Sequence, residues 1–429
     1  MSTAFLTDFY ELTMIQASLE SGKADTPAVF ELFARKLPAG RGYGVVAGVD
    51  RAMKAVQQFR FTDEQIDFLI KDGRLNSDTI SFLKNYRFRG DIYAYRDGDV
   101  FFPYSPIVTV VGTFADAVIL ETLLLSILNH DSAVAGAASR MVQAANGIPI
   151  IEMGSRRTHE LAAVDSARIA YICGFKATSN VEAGQRFGIP VVGTSAHAFT
   201  LAHNNEIDAF RSQVRALGVD TTLLVDTYDI EEGINNAVRA AQEAGAPGPG
   251  GIRIDSGSLG FEVTKARKQL DALGAVDTKI VVSSDIDEFS IEEMVSQNVP
   301  VDSFGAGTRV VTGSGHPTAG MVFKLVQRTD PDGVVHQVAK KSSGKKSVGG
   351  FKYAYRAFED GVITDEFYTF EKDNSQIPVQ VKFIEAGKQI VVFSTEETRA
   401  FHALTMNRLP EALRGVNVAD TFEVSEGSR

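Results

Sequence analysis

The sequence predicts an α/β protein, built from a parallel sheet covered by helices and a second, α+β domain. Short apolar runs alternate with helical patterns and end near positions 151, 192, 225, 254, 282 and 304. Polar or glycine residues follow each run, which is typical of parallel strands whose carboxyl ends build an active site. Six such strand–helix units usually close into an α/β barrel. An open doubly wound sheet has the same periodicity and stays a second possibility.

Residues 1–125 are predicted to form an N-terminal α+β domain. Asp8 and Glu11 have the spacing of a capping box and predict a helix that starts there. The alternating segment 30–33 predicts a strand. Residues 88–112 are rich in Tyr, Val and Phe and predict an antiparallel hairpin region.

Residues 126–320 are predicted to hold the barrel. Its clearest helix follows Asp229, where apolar residues recur at helical spacing. These residues are Ile230, Ile234, Ala237, Val238 and Ala241. The longest apolar stretch, Ala117–Leu128, contains Glu121 and Ser126 and is too short to span a bilayer. It therefore predicts a buried helix.

Residues 321–429 return to a β pattern and are predicted to rejoin the N-terminal segment. The two ends of the chain would then form one discontinuous domain beside the barrel. The predicted strands are 321–327, 334–338, 379–383 and 389–393. Between them, the segment Lys340–Lys352 is basic and rich in glycine. Such a run is usually a solvated loop, but its charge also suits pyrophosphate.

Composition narrows the class of protein. The chain has 429 residues, enough for two cores, and its net charge of −11 disfavours nucleic acid because a polyphosphate is repelled. The single cysteine, Cys173, excludes an internal disulfide and a thiolate zinc site. The first residues lack a secretory signal pattern and no stretch predicts a membrane span, so we expect a cytoplasmic protein without a membrane partner.

Two strand ends point to a phosphorylated sugar. The segment Gly305–Thr308 offers backbone N–H groups to a phosphate, although such a loop can also be a simple turn. Asp255 is followed by Ser256–Ser258. Its carboxylate could accept hydrogen bonds from sugar hydroxyls, or it could only cap the next helix.

Three arginines also occupy predicted strand ends. Arg253 alternates with two isoleucines inside a strand, and a buried arginine needs an anionic partner, which is either Asp226 or a ligand. Arg156 and Arg157 suit bidentate contacts with phosphate or carboxylate. On a solvated loop the same pair would carry no functional information.

Among the histidines, His197 is the candidate for chemistry because it follows an apolar run and the segment Gly193–Ser195. A lone histidine is more often structural. The chain has no Ser/His/Asp order and no HExxH spacing, and His203 is too far along the chain to make a good metal pair with His197. Together, the phosphate loop, the carboxylate and the arginines indicate a site for a phosphorylated sugar.

Seven segments match one enzyme family in order and in spacing. They are Leu6–Met14, Gly154–Arg157, Thr178–Val181, Gly193–Phe199, Arg253–Gly257, Phe304–Thr308 and Gly344–Lys346. Through them the chain resembles the nicotinate phosphoribosyltransferases, of the type II phosphoribosyltransferase family. The resemblance extends from about residue 5 to about residue 360.

The resemblance implies an irregular α/β barrel and a split α+β domain, in subunits that pair head to tail as a homodimer or a higher homo-oligomer. It implies synthesis of nicotinate mononucleotide and pyrophosphate from nicotinate and phosphoribosyl pyrophosphate, the first step of NAD salvage from nicotinate. ATP would be a co-substrate whose hydrolysis drives synthesis through a phosphohistidine. Mg²⁺ would accompany the pyrophosphate, with no protein metal cage.

Residue roles are implied by position in the matching segments. His197 matches the phosphorylated histidine and is expected to be catalytic, together with Arg253 and Asp255. Tyr10 is expected to reach the active site of a neighbouring subunit and to stack on the pyridine ring. The other expected substrate-binding residues are Arg156, Arg157, Ser179, Thr194, Asp285, Gly305, Gly307, Thr308 and Lys345.

Two positions depart from the family pattern. Met153 stands where related enzymes often carry an aromatic ring against the pyridine, and Lys176 stands where a small or acidic residue is expected. The nearest alternative is a nicotinamide phosphoribosyltransferase, which would carry an aspartate in place of Ser179. A quinolinate enzyme lacks the His197 motif. A non-catalytic nucleotide-binding relative would usually have lost its charged site residues.

Overall fold

The computed structural model describes residues 2–340 and 347–427. Within them the helices are α1 Phe9–Glu20, α2 Val49–Gln57, α3 Asp63–Asp72, α4 Ser77–Asn85, α5 Phe114–Val118, α6 Glu121–Ala144, α7 Glu160–Ile172, α8 Val181–Phe187, α9 His197–Leu201, α10 Glu206–Leu217, α11 Ile230–Glu243, α12 Leu259–Ala272, α13 Glu288–Ser296, α14 Thr308–Val311, α15 Thr395–Arg408 and α16 Glu411–Arg414.

The strands of the same residues are β1 Pro27–Ala34, β2 Gly44–Val45, β3 Asp91–Ala94, β4 Val100–Phe101, β5 Val108–Thr113, β6 Ile150–Glu152, β7 Ala177–Thr178, β8 Thr222–Leu224, β9 Gly251–Ile254, β10 Lys279–Ser284, β11 Ser303–Ala306, β12 Met321–Thr329, β13 Val335–Gln337, β14 Tyr353–Glu359, β15 Val362–Thr369, β16 Val381–Glu385, β17 Lys388–Gln389 and β18 Ser425–Glu426. The chain divides into two compact units, Met1–Gly136 with His316–Arg429, and Ala137–Gly315.

The first unit is built on a seven-stranded sheet in the order β13-β12-β1-β5-β3-β16-β17. The predicted strand at residues 30–33 is confirmed as part of β1, which pairs antiparallel with both β5 and β12. The predicted hairpin region at 88–112 is confirmed by the antiparallel pair of β3 and β5. Strands from both ends of the chain therefore share one sheet.

The start of α1 differs from the prediction. The helix begins at Phe9 with Asp8 at its N-cap, but the Asp8 side chain makes no capping hydrogen bond. Instead, the Thr122 hydroxyl lies 3.3 Å from Asp8 Oδ2 and 3.4 Å from Glu11 Oε1. The expected capping box is wrong because both carboxylates turn toward Thr122.

The C-terminal strands agree with the sequence in part. The predictions for 321–327, 334–338 and 379–383 are confirmed in β12, β13 and β16. The fourth prediction is wrong beyond Gln389, because β17 ends there and the chain leads to Ser394, which caps α15 through a hydrogen bond from the Glu397 amide. The hairpin of β14 and β15 was not predicted.

The second unit contains a six-stranded, all-parallel sheet in the order β7-β6-β11-β10-β9-β8, curled into a half-barrel with helices between its strands. Five predicted strand ends are confirmed in β6, β8, β9, β10 and β11. The predicted strand ending near 192 is present only as a single parallel bridge between Val191 and Thr178, and the sixth strand of the sheet is β7. Pro190 lacks an N–H group for the ladder, and Val191 and Val192 are exposed.

The predicted buried helix at Ala117–Leu128 is confirmed in α5 and α6. Leu120, Leu124 and Leu128 are fully buried in the hydrophobic core of the first unit. By length and composition alone, the span Phe114–Ala144 is long and apolar enough to cross a membrane, but 67% of its most apolar window is buried. It therefore has the character of a core helix.

A buried ion pair joins β1 to the segment before β14. Lys352 Nζ lies 2.8 Å from Glu31 Oε2, and the two side chains are 2% and 4% exposed. Lys352 also donates to the carbonyl of Val348 at 2.8 Å. Burial raises the pKa of Glu31, and the neighbouring ammonium of Lys352 acts against this rise.

Removing one member of this pair should destabilise the first unit. We expect Lys352→Met to lower the free energy of unfolding by about 3–5 kcal/mol, because it leaves a carboxyl buried without a partner. The more solvent-accessible pair of Lys382 and Asp91, whose side chains are 27% and 30% exposed, is the matched control, and Lys382→Met should cost under about 1 kcal/mol. Urea unfolding followed by circular dichroism measures both. Equal losses in the two variants would contradict the expectation.

Candidate active site

A cleft of about 690 Å³ lies at the carboxyl ends of the parallel strands in the second unit. It brings together ten of the residues predicted from the sequence. They are Arg156, Arg157, Ser179, Thr194, Arg253, Asp255, Asp285, Gly305, Gly307 and Thr308. The segments directly after β6, β7, β9, β10 and β11 supply seven of these ten residues, Arg253 and Gly305 lie within β9 and β11, and Thr194 lies between α8 and α9.

Arg253 is half-buried and points to Thr194, whose hydroxyl accepts a hydrogen bond from Arg253 Nη1 at 3.0 Å. Its Nε is buried and has no hydrogen-bond partner among the described residues. Asp226 is not its partner, because Asp226 Oδ2 accepts from the Asp255 amide at 2.9 Å and from the Ser256 hydroxyl at 2.7 Å. Of the two partners that the sequence left open, Asp226 is therefore not the one observed, and a ligand remains a prediction.

Asp255 does not cap the following helix. The N-cap of α12 is Ser258, and Asp255 Oδ1 accepts a hydrogen bond from the Ser283 hydroxyl at 2.7 Å. This bond fixes the carboxylate at the cleft wall. Its geometry favours ligand binding over the simple capping role.

A glycine in β11 and another directly after it allow the end of this strand and the segment after β6 to approach closely. A Cβ atom on Gly305 would lie 2.8 Å from Met153 Sδ, and one on Gly307 would lie 3.2 Å from the Met153 carbonyl oxygen. Only glycine fits beside Met153 at the first position without displacement. Thr308 opens the short helix α14, and Arg309 Nε lies 3.6 Å from Asp285 Oδ2. Cations and carboxylates thus alternate around the cleft.

His197 begins α9, directly after Ala196, which lines the cleft. Its Nδ1 lies 3.1 Å from the Thr227 hydroxyl, and its Nε2 lies 3.8 Å from Asp226 Oδ1. The Asp226 side chain is 1% exposed, and its Oδ1 has no hydrogen-bond partner among the described residues. The imidazole is therefore oriented by two groups that follow β8.

Tyr10 and Lys176 do not line this cleft. Tyr10 belongs to the first unit and is 49% exposed; burial of its hydroxyl is the main cause that raises its pKa to about 12. Lys345 lies outside the described residues. Lys176 is exposed at the amino end of β7, whereas Met153 does line the cleft.

The match to known proteins is consistent with this geometry. Residues 5–129 match the family model described as the nicotinate phosphoribosyltransferase N-terminal domain. A nicotinate phosphoribosyltransferase of Mycobacterium tuberculosis is 55% identical over 371 residues, which covers 84% of this chain and 80% of the relative. The chain belongs to the nicotinate phosphoribosyltransferase family. The Bacillus subtilis enzyme of that name is 39% identical over 360 residues and covers 83% of this chain and 73% of its own.

Solved structures extend the comparison of this family member to its fold. Human nicotinic acid phosphoribosyltransferase superposes with a TM-score of 0.82 at 23% identity and covers 98% of this chain and 97% of its own. The nicotinate-nucleotide pyrophosphorylase of Pyrococcus furiosus gives a TM-score of 0.74 at 25% identity, with 94% of each chain covered. The mixed α/β architecture is that of the family.

Sequence reasoning missed several residues that shape the cleft of this nicotinate phosphoribosyltransferase family member. Ser155, Ser283 and Ser284 line it, and Thr227 contacts His197. Their signal was their place directly after predicted strands. Glu152 also follows a predicted strand end, but its burial carried no signal: it is fully buried, and its carboxylate accepts hydrogen bonds from the Gly154 amide and, at 2.5 Å, from the Thr178 hydroxyl. Burial raises the pKa of Glu152, while these two bonds lower it.

The free guanidinium edge of Arg253 predicts anion binding to the cleft. We expect Arg253→Gln to weaken the binding of pyrophosphate by about 10-fold or more, because a hydrogen bond to a charged group contributes about 1.5–3 kcal/mol. Arg186→Gln is the control, since Arg186 is exposed on α8 and paired with Glu182. Calorimetric titration of each protein gives the dissociation constants. An unchanged constant for Arg253→Gln would contradict the assignment.

Proposed function

We infer that this chain is a nicotinate phosphoribosyltransferase, which forms nicotinate mononucleotide and pyrophosphate from nicotinate and phosphoribosyl pyrophosphate. Relatives with this name match most of the chain at 55% and 39% identity. The site supports the same inference, because ten predicted residues line one cleft at the strand ends. In the cell, the reaction would be the first step of NAD salvage from nicotinate, in the cytoplasm.

The residues of the cleft suit this chemistry. The pyridine nitrogen attacks the anomeric carbon while pyrophosphate leaves, through an oxocarbenium-like transition state. Little proton transfer is needed, so positioning and charge stabilisation account for the rate. We propose that Arg253 and Arg156 hold phosphate oxygens, that Asp255 binds the ribose hydroxyls, and that backbone groups of Gly307 and Thr308 bind the 5′-phosphate.

Magnesium and ATP are proposed as well. Among the described residues there is no group of three or more His, Cys, Asp or Glu side chains that could hold a metal ion. Mg²⁺ keeps most of its water and binds through one or two carboxylates and substrate phosphates. Asp255 and Asp285 in the cleft are the donors that fit this mode of binding. When bound, the ion would neutralise charge on the leaving pyrophosphate.

The assembly and the domain division are also proposals. Tyr10 is half-exposed on the first unit, which supports a role at the active site of a neighbouring subunit in a homodimer or a higher homo-oligomer. The pairing of β12 and β16 with β1 and β3 supports a discontinuous domain of residues 1–125 and 321–429. The curled sheet supports an irregular barrel over 126–320.

The main alternative substrate is nicotinamide, and Ser179 bears on the choice. Ser179 lines the cleft and offers a hydroxyl that does not repel a carboxylate. A non-catalytic nucleotide-binding relative would usually have lost its charged site residues, and this chain has Arg156, Arg253, Asp255 and His197.

Purified protein incubated with phosphoribosyl pyrophosphate, Mg²⁺ and either nicotinate or nicotinamide, with and without ATP, tests the proposal. Turnover of nicotinamide but not of nicotinate would overturn it.

Charge at position 179 should set acid specificity. We expect Ser179→Asp to lose activity on nicotinate, because two like charges about 4 Å apart at an effective dielectric of about 20 repel by roughly 4 kcal/mol. That energy corresponds to roughly a thousandfold in kcat/KM before solvent and relaxation reduce it. Ser179→Ala is the control and should lose far less, since it adds no charge. Full nicotinate activity in a folded Ser179→Asp protein would move the discriminating role to Arg157.

His197 should couple ATP to synthesis. A neutral imidazole nitrogen can attack a phosphoryl group near physiological pH. His197→Ala should therefore abolish acid-labile phosphate incorporation from ATP and uncouple ATP hydrolysis from nucleotide formation. His203→Ala is the matched control, because His203 is partly exposed, does not line the cleft, and has its Nδ1 2.8 Å from the Phe199 carbonyl oxygen. Normal phosphorylation of His197→Ala would refute the role.

A further inference from the structure

A buried carboxyl group beneath the cleft has no part in the chemistry described above. Glu152 is the last residue of β6 and is fully buried, yet no lysine or arginine of the described residues forms an ion pair with it. A buried carboxylate normally needs a cation or several hydrogen bonds. The two carboxylate oxygens of Glu152 accept hydrogen bonds from two different segments. One bond comes from the Gly154 amide after β6, and the other from the Thr178 hydroxyl at the end of β7.

These two contacts belong to a closed ring of hydrogen bonds. The Thr178 hydroxyl oxygen accepts from the Asn180 amide at 3.0 Å, and Asn180 Nδ2 donates to the Ser155 hydroxyl at 3.0 Å. Ser155 lies next to Gly154, which completes the ring back to Glu152. The ring therefore joins the loop that carries Arg156 and Arg157 to the loop that carries Ser179.

The backbone around the ring has little freedom. The Glu152 carbonyl accepts from the Ser179 amide at 2.9 Å, and the Met153 amide donates to the Ala306 carbonyl at 2.7 Å. A Cβ atom on Gly154 would lie 2.2 Å from Val311 Cγ1. The two loops are thus held from below by Glu152 and from the side by β11, so their separation is set before a ligand enters.

We propose that Glu152 and Thr178 are positioning residues that hold Ser179 and Arg157 at the separation that a pyridine carboxylate requires. The proposal rests on the proposed function, because it assigns this end of the cleft to nicotinate. A preformed site avoids the free-energy cost of ordering two loops around the substrate. Loss of the pair weakens nicotinate equally in the ground state and the transition state, so KM rises while kcat stays constant.

The deciding variant is Thr178→Val, which keeps the shape of the side chain and removes its hydroxyl. We expect KM for nicotinate to rise about 10-fold or more, while kcat and KM for phosphoribosyl pyrophosphate stay within about twofold. Thr178→Ser should restore the wild-type KM, since it retains the hydroxyl. Thr278→Val is the matched control: Thr278 is buried in the same unit and donates to the Pro249 carbonyl at 2.8 Å, before β10 begins.

A second readout tests the ring without reference to turnover. Amide hydrogen exchange at residues 153–157 and 178–180 should be faster in Thr178→Val than in the wild type and in Thr278→Val, and should recover in Thr178→Ser. If Thr178→Val does not fold, Glu152→Asp replaces it, because the shorter carboxylate cannot reach both loops. Unchanged exchange, or an equal rise of KM for both substrates, overturns the proposal. A wild type that turns over neither pyridine refutes the proposed function, and the exchange result then decides the positioning role alone.

Discussion

The parallel register of the six-stranded sheet is the constraint on which the cleft depends. Glu152 lies opposite Thr178 on one side and Ala306 on the other, and Ser283 lies opposite Gly305. Because all strands run the same way, their carboxyl ends meet at one edge and deliver their loops to a single place. A slip of one residue in β9 would turn Arg253 and the following carboxylate to the other face. The arrangement of the residues around the cleft is therefore a consequence of strand pairing.

The polar side chains at this edge of the sheet are positioned by hydrogen bonds to one another as well as by the strands that carry them. Asp226 accepts a hydrogen bond from the backbone of Asp255 and lies 3.8 Å from the imidazole of His197, so the loop after β9 and the histidine share one buried carboxylate. Ser283 fixes Asp255, and Thr194 fixes Arg253. Such mutual hydrogen bonds keep the dipoles and charges oriented before the reaction, which is the source of electrostatic catalysis in a site without an acid–base pair.

The sequence predicted the architecture where a strong pattern existed and failed where the pattern was short. Five strand ends and seven of the ten cleft residues followed from apolar runs bounded by polar residues, whereas Ser179, Thr194 and Asp285 followed only from the family resemblance. The two-residue strand β7 has no apolar run and was not predicted, whereas the predicted strand ending near 192 forms only a single bridge to it. The hairpin of β14 and β15 carried a usable signal, the turn Asp360-Gly361, where both residues have positive φ. The burial of Glu152 beside two loops could not be predicted, because it depends on a contact with Thr178 that only the folded sheet creates.

The position of β1 between β5 and β12 has a consequence for synthesis on the ribosome. Phe30 pairs with Leu325, so β1 waits for a partner that is made roughly 300 residues later. The second unit, by contrast, is one continuous stretch, Ala137–Gly315, and can complete its sheet as soon as it leaves the exit tunnel. Until β12 has been synthesised, one edge of β1 has unpaired N–H and C=O groups to which a strand of another chain can pair. The first unit can therefore complete its seven-stranded sheet only after the second unit has been synthesised, because β12 and β16 follow that unit in the chain.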